Sequence, residues 1–262
     1  MGVVKRNIVI IVSAIIITAY SNTSANALHK NLYPQGMCDT IADGMPGLSD
    51  NTRKPQRIEA LVTLPSGNTI WAEYWGKESA DTVYVVVAQV HGDECSPSLL
   101  VDEIRKHPPT SYGVWLIPTL NPDGYANYTR KNANGIDLND DGYMKSQQET
   151  QALLRFVAKV KPALVLHFHS PNAFVGAHGG KLASQVGRRI ADATGFLLKN
   201  AGEKQEKNKW RLWQGLETIG YQSVLVELHA VSWKETPGGD PRPKQLNVEQ
   251  VRTEIRAVLG AL

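Results

Sequence analysis

An α/β fold, with a mixed, largely parallel central sheet and helices on both faces, is what this sequence predicts, on three observations. Near-continuous apolar runs rich in β-branched residues, such as TVYVVVAQV (82–90), ALVLHF (163–168) and SVLVEL (223–228), are what strands buried on both faces require. Between these runs lie segments with apolar residues at helical spacing, so strands alternate with helices. The length of 262 residues, 42% of them hydrophobic and 20% charged, suits one globular domain with a substantial core.

At the start of the chain, Lys5 and Arg6 precede the short apolar run NIVIIVSAIIITAY, and Ala25 and Ala27 flank Asn26. A basic beginning, an apolar stretch and a small-residue cleavage site predict a secretory signal over residues 1–27. The run is short for a permanent span, with an uncleaved anchor as the alternative reading. No second stretch is long and apolar enough to span a membrane. Cleavage after Ala27 would remove two positive charges and no acid, taking the formal charge of +3 to about +1. Residues 28–55 are rich in turn formers and read as an irregular arm, which leaves 56–262 as the folded domain.

Within that domain, RIEALVTLP and TIWAEYW flank Ser66-Gly67-Asn68 and predict a hairpin. After the 82–90 strand, PSLLVDEIRKH reads as a helix and GVWLIPT as a strand. NPDGYANYTRKNANGIDLND (121–140) reads as a long loop punctuated by Asn-Pro and Asp-Gly. Ser146 opens the helical stretch SQQETQALLRFVAKV, and Glu149 three residues on completes a predicted capping box. ALVLHF is a strand, LASQVGRRIADAT and RLWQGLETIG are helices, SVLVEL is a strand, and NVEQVRTEIRAVLGAL is a terminal helix. The Pro/Gly-rich stretch 235–247 before it reads as a loop that either shapes a groove or merely connects.

The weak net charge and the absence of a Lys/Arg run of the kind that grips a phosphate backbone argue against a nucleic-acid partner. Cys38 and Cys95 are the two cysteines; export would permit one disulfide between them, with two free thiols as the alternative. Oligomeric state is not legible.

Active sites of α/β sheets gather beyond the carboxyl ends of strands. After 82–90 comes His91-Gly92-Asp93-Glu94, where a glycine-aided tight turn would let an imidazole and a carboxylate face one ion. A solvated turn would read the same. His167 and His169 end the 163–168 strand on one face. Two His and one Glu with an open position form a catalytic zinc sphere. Glu227 ends an apolar strand, where desolvation would raise its pKa toward the range of a general base; a structural ion pair is the other reading. Arg130 is a fixed-charge donor suited to an oxyanion, or a surface Arg. His229 either lines the pocket or is structural, and His167 either supports the site or is a buried neighbour.

Taken in order, His91-x-x-Glu94, NPDGY, Arg130, NGIDLN, His169-Ser170 and Glu227 resemble the zinc carboxypeptidase family through most of residues 57–230. RKNANG and the Trp213-Gln214 helix resemble most the bacterial murein peptide amidase branch, which hydrolyses the γ-D-glutamyl–diaminopimelate bond of cell-wall peptides. The resemblance implies one Zn2+ held by His91, Glu94 and His169. It implies Glu227 as the base that activates water and later protonates the leaving amine, and Arg130 as the group that polarises the scissile carbonyl. It also implies Asp137 as the carboxylate that orients His91, and Asn139 as a contact to the substrate's terminal carboxylate.

The next residues depart from the family. Asp140 and Asp141 stand where Arg and Asn usually follow, so a carboxylate-binding Arg is replaced by an acid. Asp140 is expected to hold a substrate ammonium, as diaminopimelate would offer, or to cap a turn. No residue matches the family's mobile Tyr convincingly; Tyr221 and Trp210 are the nearest. The resulting expectation is an exported, periplasmic zinc peptidase acting on cell-wall peptides as an amidase or D,L-carboxypeptidase. The alternatives are a zinc deacylase of acyl-amino acids and a non-catalytic wall-binding relative.

Overall fold

The computed structural model describes residues 38, 53–142, 144–200, 211–231 and 248–262. The expected signal segment, nearly all of the arm, Trp210 and the 235–247 loop lie outside the described residues. Among the described residues, the strands are β1 (Arg57–Thr63), β2 (Thr69–Gly76), β3 (Val83–Val87), β4 (Gly113–Ile117), β5 (Leu164–His169), β6 (Asn172–His178), β7 (Leu197–Asn200) and β8 (Ser223–His229). The helices are α1 (Ser96–Lys106), α2 (Pro122–Asn127), α3 (Gln148–Val160), α4 (Lys181–Thr194), α5 (Leu212–Thr218) and α6 (Val248–Gly260).

All eight strands join one sheet in the order β1-β2-β4-β3-β5-β8-β6-β7. The pairs β3–β4, β3–β5, β5–β8 and β6–β7 are parallel, while β1–β2, β2–β4 and β6–β8 are antiparallel. The predicted mixed, largely parallel sheet is therefore observed. Strand alternation divides the core in two. Val86, Leu166 and Val226 face Leu100 of α1, Ile190 of α4 and Ile255 of α6. Val85, Val87 and Val165 face Phe156 and Val157 of α3 and Leu216 of α5 on the opposite side. Each such side chain, removed from water on both flanks, contributes roughly 1.5–3 kcal/mol, which is why the β-branched runs fold as central strands.

Cys38 and Cys95 are disulfide-bonded, with Cα atoms 5.1 Å apart, so the two-thiol alternative falls away. Arg252 of α6 donates to Asp102 (2.7 Å) and Glu103 (3.1 Å) of α1, fastening these helices through buried charge.

Two sequence expectations change, and two strands appear that the sequence reading did not place. The Ser146–Glu149 capping box does not form: α3 begins at Gln148, and its flanking residue Gln147 makes no side-chain cap. Ser146 instead donates to Asp141, whose carboxylate also accepts the Ser146 and Gln147 backbone N–H groups at 2.9 and 3.0 Å. The Asp141 carboxylate, a strong acceptor, thereby fixes the residues just ahead of α3. The 121–140 loop contains α2, because Asn121 accepts the Gly124 N–H at 2.9 Å and Pro122 pre-sets the first turn. Strands β6 and β7 have no long apolar run; their pairing with β8 and with each other supplies what their propensity lacks.

Candidate active site

The chain diverges at β3. Strand β4 lies on one side of it and β5 on the other, so a crevice opens beyond their carboxyl ends. His91 and Glu94 follow β3, His169 ends β5, and Glu227 lies in β8 as the cross-strand partner of His169. The turn from His91 to Glu94 rests directly on α2. A Cβ added to Gly92 would lie 2.0 Å from the Gly124 carbonyl carbon and 2.2 Å from the Tyr125 nitrogen. Gly92 is not in the left-handed region, so close backbone approach, and not the tight turn expected, demands glycine there.

His91, Glu94 and His169 are all buried and their donor atoms converge. His91 Nδ1 is 2.6 Å from Glu94 Oε1, and His169 Nδ1 is 3.1 Å from both His91 Nδ1 and Glu94 Oε2. His91 Nε2 lies 2.9 Å from Asp137 Oδ1, so the two residues expected to interact are in contact. A neutral His91 that donates to Asp137 presents a lone pair at Nδ1, and that lone pair faces a carboxylate oxygen. Two acceptors at such a distance require a proton or a metal cation between them. The residues therefore fit a divalent cation held by two imidazole nitrogens and a carboxylate.

The electrostatics carry the same demand. Burial alone would push His91 down, but Glu94 and Asp137 beside it carry its pKa up to about 9. Burial would raise Glu94, yet His91 and His169 hold it down to about 2. Asp137, despite its burial, is held below the usual carboxylate range by His91 and Arg130. The cluster thus favours carboxylates ionised and positive charge between them, as a cation site must.

Glu227 lies inside β8, two residues before its end, and burial, with Glu94 adding repulsion, raises its pKa, while His169 and Asn172 oppose. Asn172 donates to Glu227 Oε2 from its backbone (3.4 Å) and its side chain (3.3 Å). Arg130 is solvent-exposed, yet its guanidinium is tied to the cluster. Its Nε donates to Asp137 Oδ2 at 2.8 Å and its Nη1 to Glu94 Oε1 at 3.2 Å, which brings the guanidinium to the edge of the cluster.

Asn139 and Asp140 lie on the same turn. Asn139 Oδ1 accepts the Leu212 N–H at 3.4 Å, at the start of α5. Asp140 pairs with Arg211 Nη1 at 2.7 Å. The expected uncompensated acid is thus matched by a guanidinium from a residue 71 positions away. His229 is tied to Glu254 of α6 at 2.6 Å, which accounts for it structurally. His167 is fully buried; burial and the neighbouring histidines hold its pKa well below the usual value. Sequence reasoning did not find Asn172 or Arg211. Asn172 carried a faint signal, two residues beyond the His169-Ser170 motif; Arg211 carried none.

No family model matches the chain. Among curated proteins it is similar to Carboxypeptidase SOL1 of Arabidopsis thaliana, 25% identical over 150 residues, covering 47% of this chain and 30% of that protein. It is also similar to Murein peptide amidase A of Escherichia coli (strain K12), 27% identical over 128 residues, covering 35% of this chain and 50% of that protein. The matched stretches thus span half or less of these relatives' length. Among solved structures, murein-tripeptide amidase MpaA from Escherichia coli O157 superposes with a TM-score of 0.59 at 19% identity, over 80% of this chain and 95% of that one. Carboxypeptidase A from Helicoverpa armigera superposes with a TM-score of 0.62 at 15% identity, over 86% and 70%. The fold of this chain is that of the metallocarboxypeptidases and murein peptide amidases.

Proposed function

We propose that this protein is an exported zinc peptidase that hydrolyses an amide bond in cell-wall peptides, next to diaminopimelate. The observation that carries the reading is the juxtaposition of a converged His91–Glu94–His169 centre with Glu227 as the cross-strand partner of His169. Two imidazole nitrogens and one carboxylate are a donor set for a catalytic zinc. Zinc bound there supplies Lewis acidity toward a carbonyl and lowers the pKa of water to about 7.

The chain's own groups do the rest. Asn172 holds Oε2 of Glu227, so Oε1 takes the proton from attacking water and hands it to the leaving amine. Desolvation of Glu227 raises its proton affinity toward that task. Arg130 is anchored through Nε and Nη1, which leaves Nη2 to meet the oxyanion of the tetrahedral species. Asp137 and Arg130 together fix His91.

The murein substrate is supported by the likeness to a murein peptide amidase and by the Asp140–Arg211 pair. Diaminopimelate carries ammonium and carboxylate groups together, and a paired acid and base offer one partner to each. Export is supported by the signal pattern at 1–27. The test is incubation of the zinc-loaded protein with defined tri- and tetrapeptide muropeptides, with acyl-amino acids as the competing substrates, and products read by mass. Glu227→Gln should keep zinc and lose about 10²–10⁴-fold in turnover; undiminished turnover would remove Glu227 from the chemistry.

A further inference from the structure

We propose that His167 is the positioning residue of the metal ligand His169, setting its tautomer from behind. The proposal rests on the zinc reading above. Each ligand imidazole has a second ring nitrogen that must be held. For His91 the holder is a carboxylate, Asp137 Oδ1 at 2.9 Å. For His169 it is another imidazole: His169 Nε2 lies 3.3 Å from His167 Nδ1, and the rings meet edge to face at 85°.

A cation bound at His169 Nδ1 would dictate the protons. His169 Nδ1 points at His91 and Glu94, so it must present its lone pair there, and its proton must sit on Nε2. That N–H then donates to His167 Nδ1, which places the His167 proton on Nε2. The opposite arrangement, with His167 donating from Nδ1, would leave His169 protonated at Nδ1 and unable to bind a cation.

Two observations show that packing does not explain His167. It is fully buried in β5, between Val87 of β3 and Leu225 of β8 in register, where its neighbours along the strand are Leu164, Val165, Leu166 and Phe168. Its Nε2 has no hydrogen-bond partner among the described residues. An apolar side chain would fill such a position without leaving a polar atom unpaired. What the imidazole adds is the acceptor at Nδ1.

The experiment measures zinc affinity by chelator competition, together with the thermal melting of the zinc-free protein. His167→Leu is expected to weaken zinc binding 10–100-fold while the zinc-free protein melts within a few degrees of wild type. His167→Asn, which keeps an acceptor near the Nδ1 position, is expected to recover much of the affinity. A purely structural His167 gives the reverse pattern, a lower zinc-free melting temperature with unchanged zinc affinity, and overturns the proposal. If His167→Leu does not fold, the imidazole nitrogen resonances of zinc-loaded wild type decide. His167 protonated at Nε2 supports the role, and His167 protonated at Nδ1 overturns it. A wild-type protein that binds no zinc overturns the proposal together with the zinc reading, whereas tight wild-type binding unaffected by His167→Leu overturns the positioning role alone.

Discussion

Substituting Gly92 by alanine tests whether the metal centre is seated on α2. The added Cβ would lie 2.0 Å from the Gly124 carbonyl carbon, 2.2 Å from the Tyr125 nitrogen and 2.3 Å from the Gly124 oxygen. Ordinary contact starts near 3.4 Å, so the overlap exceeds an ångström and every obstructing atom is backbone. That backbone is pinned, because Asn121 accepts from Gly124 N at 2.9 Å and its carbonyl accepts from Tyr125 N at 2.9 Å. The 91–94 turn must therefore yield, taking His91 and Glu94 with it. Overpacking of this kind costs about 2–3 kcal/mol, equivalent to a melting temperature roughly 5–10 °C lower for a domain of this size. Loss of correct support for two ligands should weaken zinc binding by about 10–100-fold. Calorimetry and chelator competition read the two effects. Gly195→Ala is the control, since Gly195 has φ +74° with no atom within 4 Å of its built Cβ, so only backbone strain of about 1–2 kcal/mol is expected. If Gly92→Ala loses no more stability than Gly195→Ala and binds zinc like wild type, the seating argument is wrong.

Three further outcomes are expected. His178 is buried, stacked on Trp213 at 4.3 Å, and burial lowers its pKa from 6.5 to about 4. A folded pKa below the unfolded one stabilises fully above pH 6.5 and loses that contribution as pH falls toward 4; about 2 kcal/mol should disappear between about pH 7.5 and 5. His178→Phe should abolish that part of the slope in urea titrations, and an unchanged slope would refute the assignment. The Cys38–Cys95 bridge spans 57 positions, so Cys38→Ser with Cys95→Ser should cost about 4 kcal/mol by loop entropy; a loss under about 1 kcal/mol would show that the bridge constrains little. For the exposed Asp140–Arg211 pair, Arg211→Ala should leave stability within about 1 kcal/mol yet raise KM for diaminopimelate peptides about tenfold. Exchange of the two charges, Asp140→Arg with Arg211→Asp, should restore much of it, and unchanged KM in Arg211→Ala would take the pair out of the substrate site.

The parts of the site legible in the sequence are those whose meaning is local. Val83–Val87 and Leu164–His169 announce buried strands by composition, and a strand end announces a site by position, so His91, Glu94, His169 and Glu227 could all be named. The 121–140 segment misled because Asn-Pro serves a loop and a helix start equally well, and only the Asn121–Gly124 hydrogen bond separates them. Strands β6 and β7 escaped because a Gly- and Ala-containing run and a four-residue strand take their stability from neighbours.

Charge was the least legible property, and the reason is general. The sequence shows an acid at 140 where a cation was expected, and read locally that reverses the field of the subsite. The fold pairs that acid with the Arg211 guanidinium at 2.7 Å. Asp140 therefore does not stand as a lone negative charge. The same holds at the centre: Glu94 takes Arg130 from 36 positions away and His169 from 75, so its low pKa belongs to the assembled site. Residue types at motif spacing establish which groups are available. Their protonation, and hence their chemistry, follows from partners that only folding brings within hydrogen-bond reach.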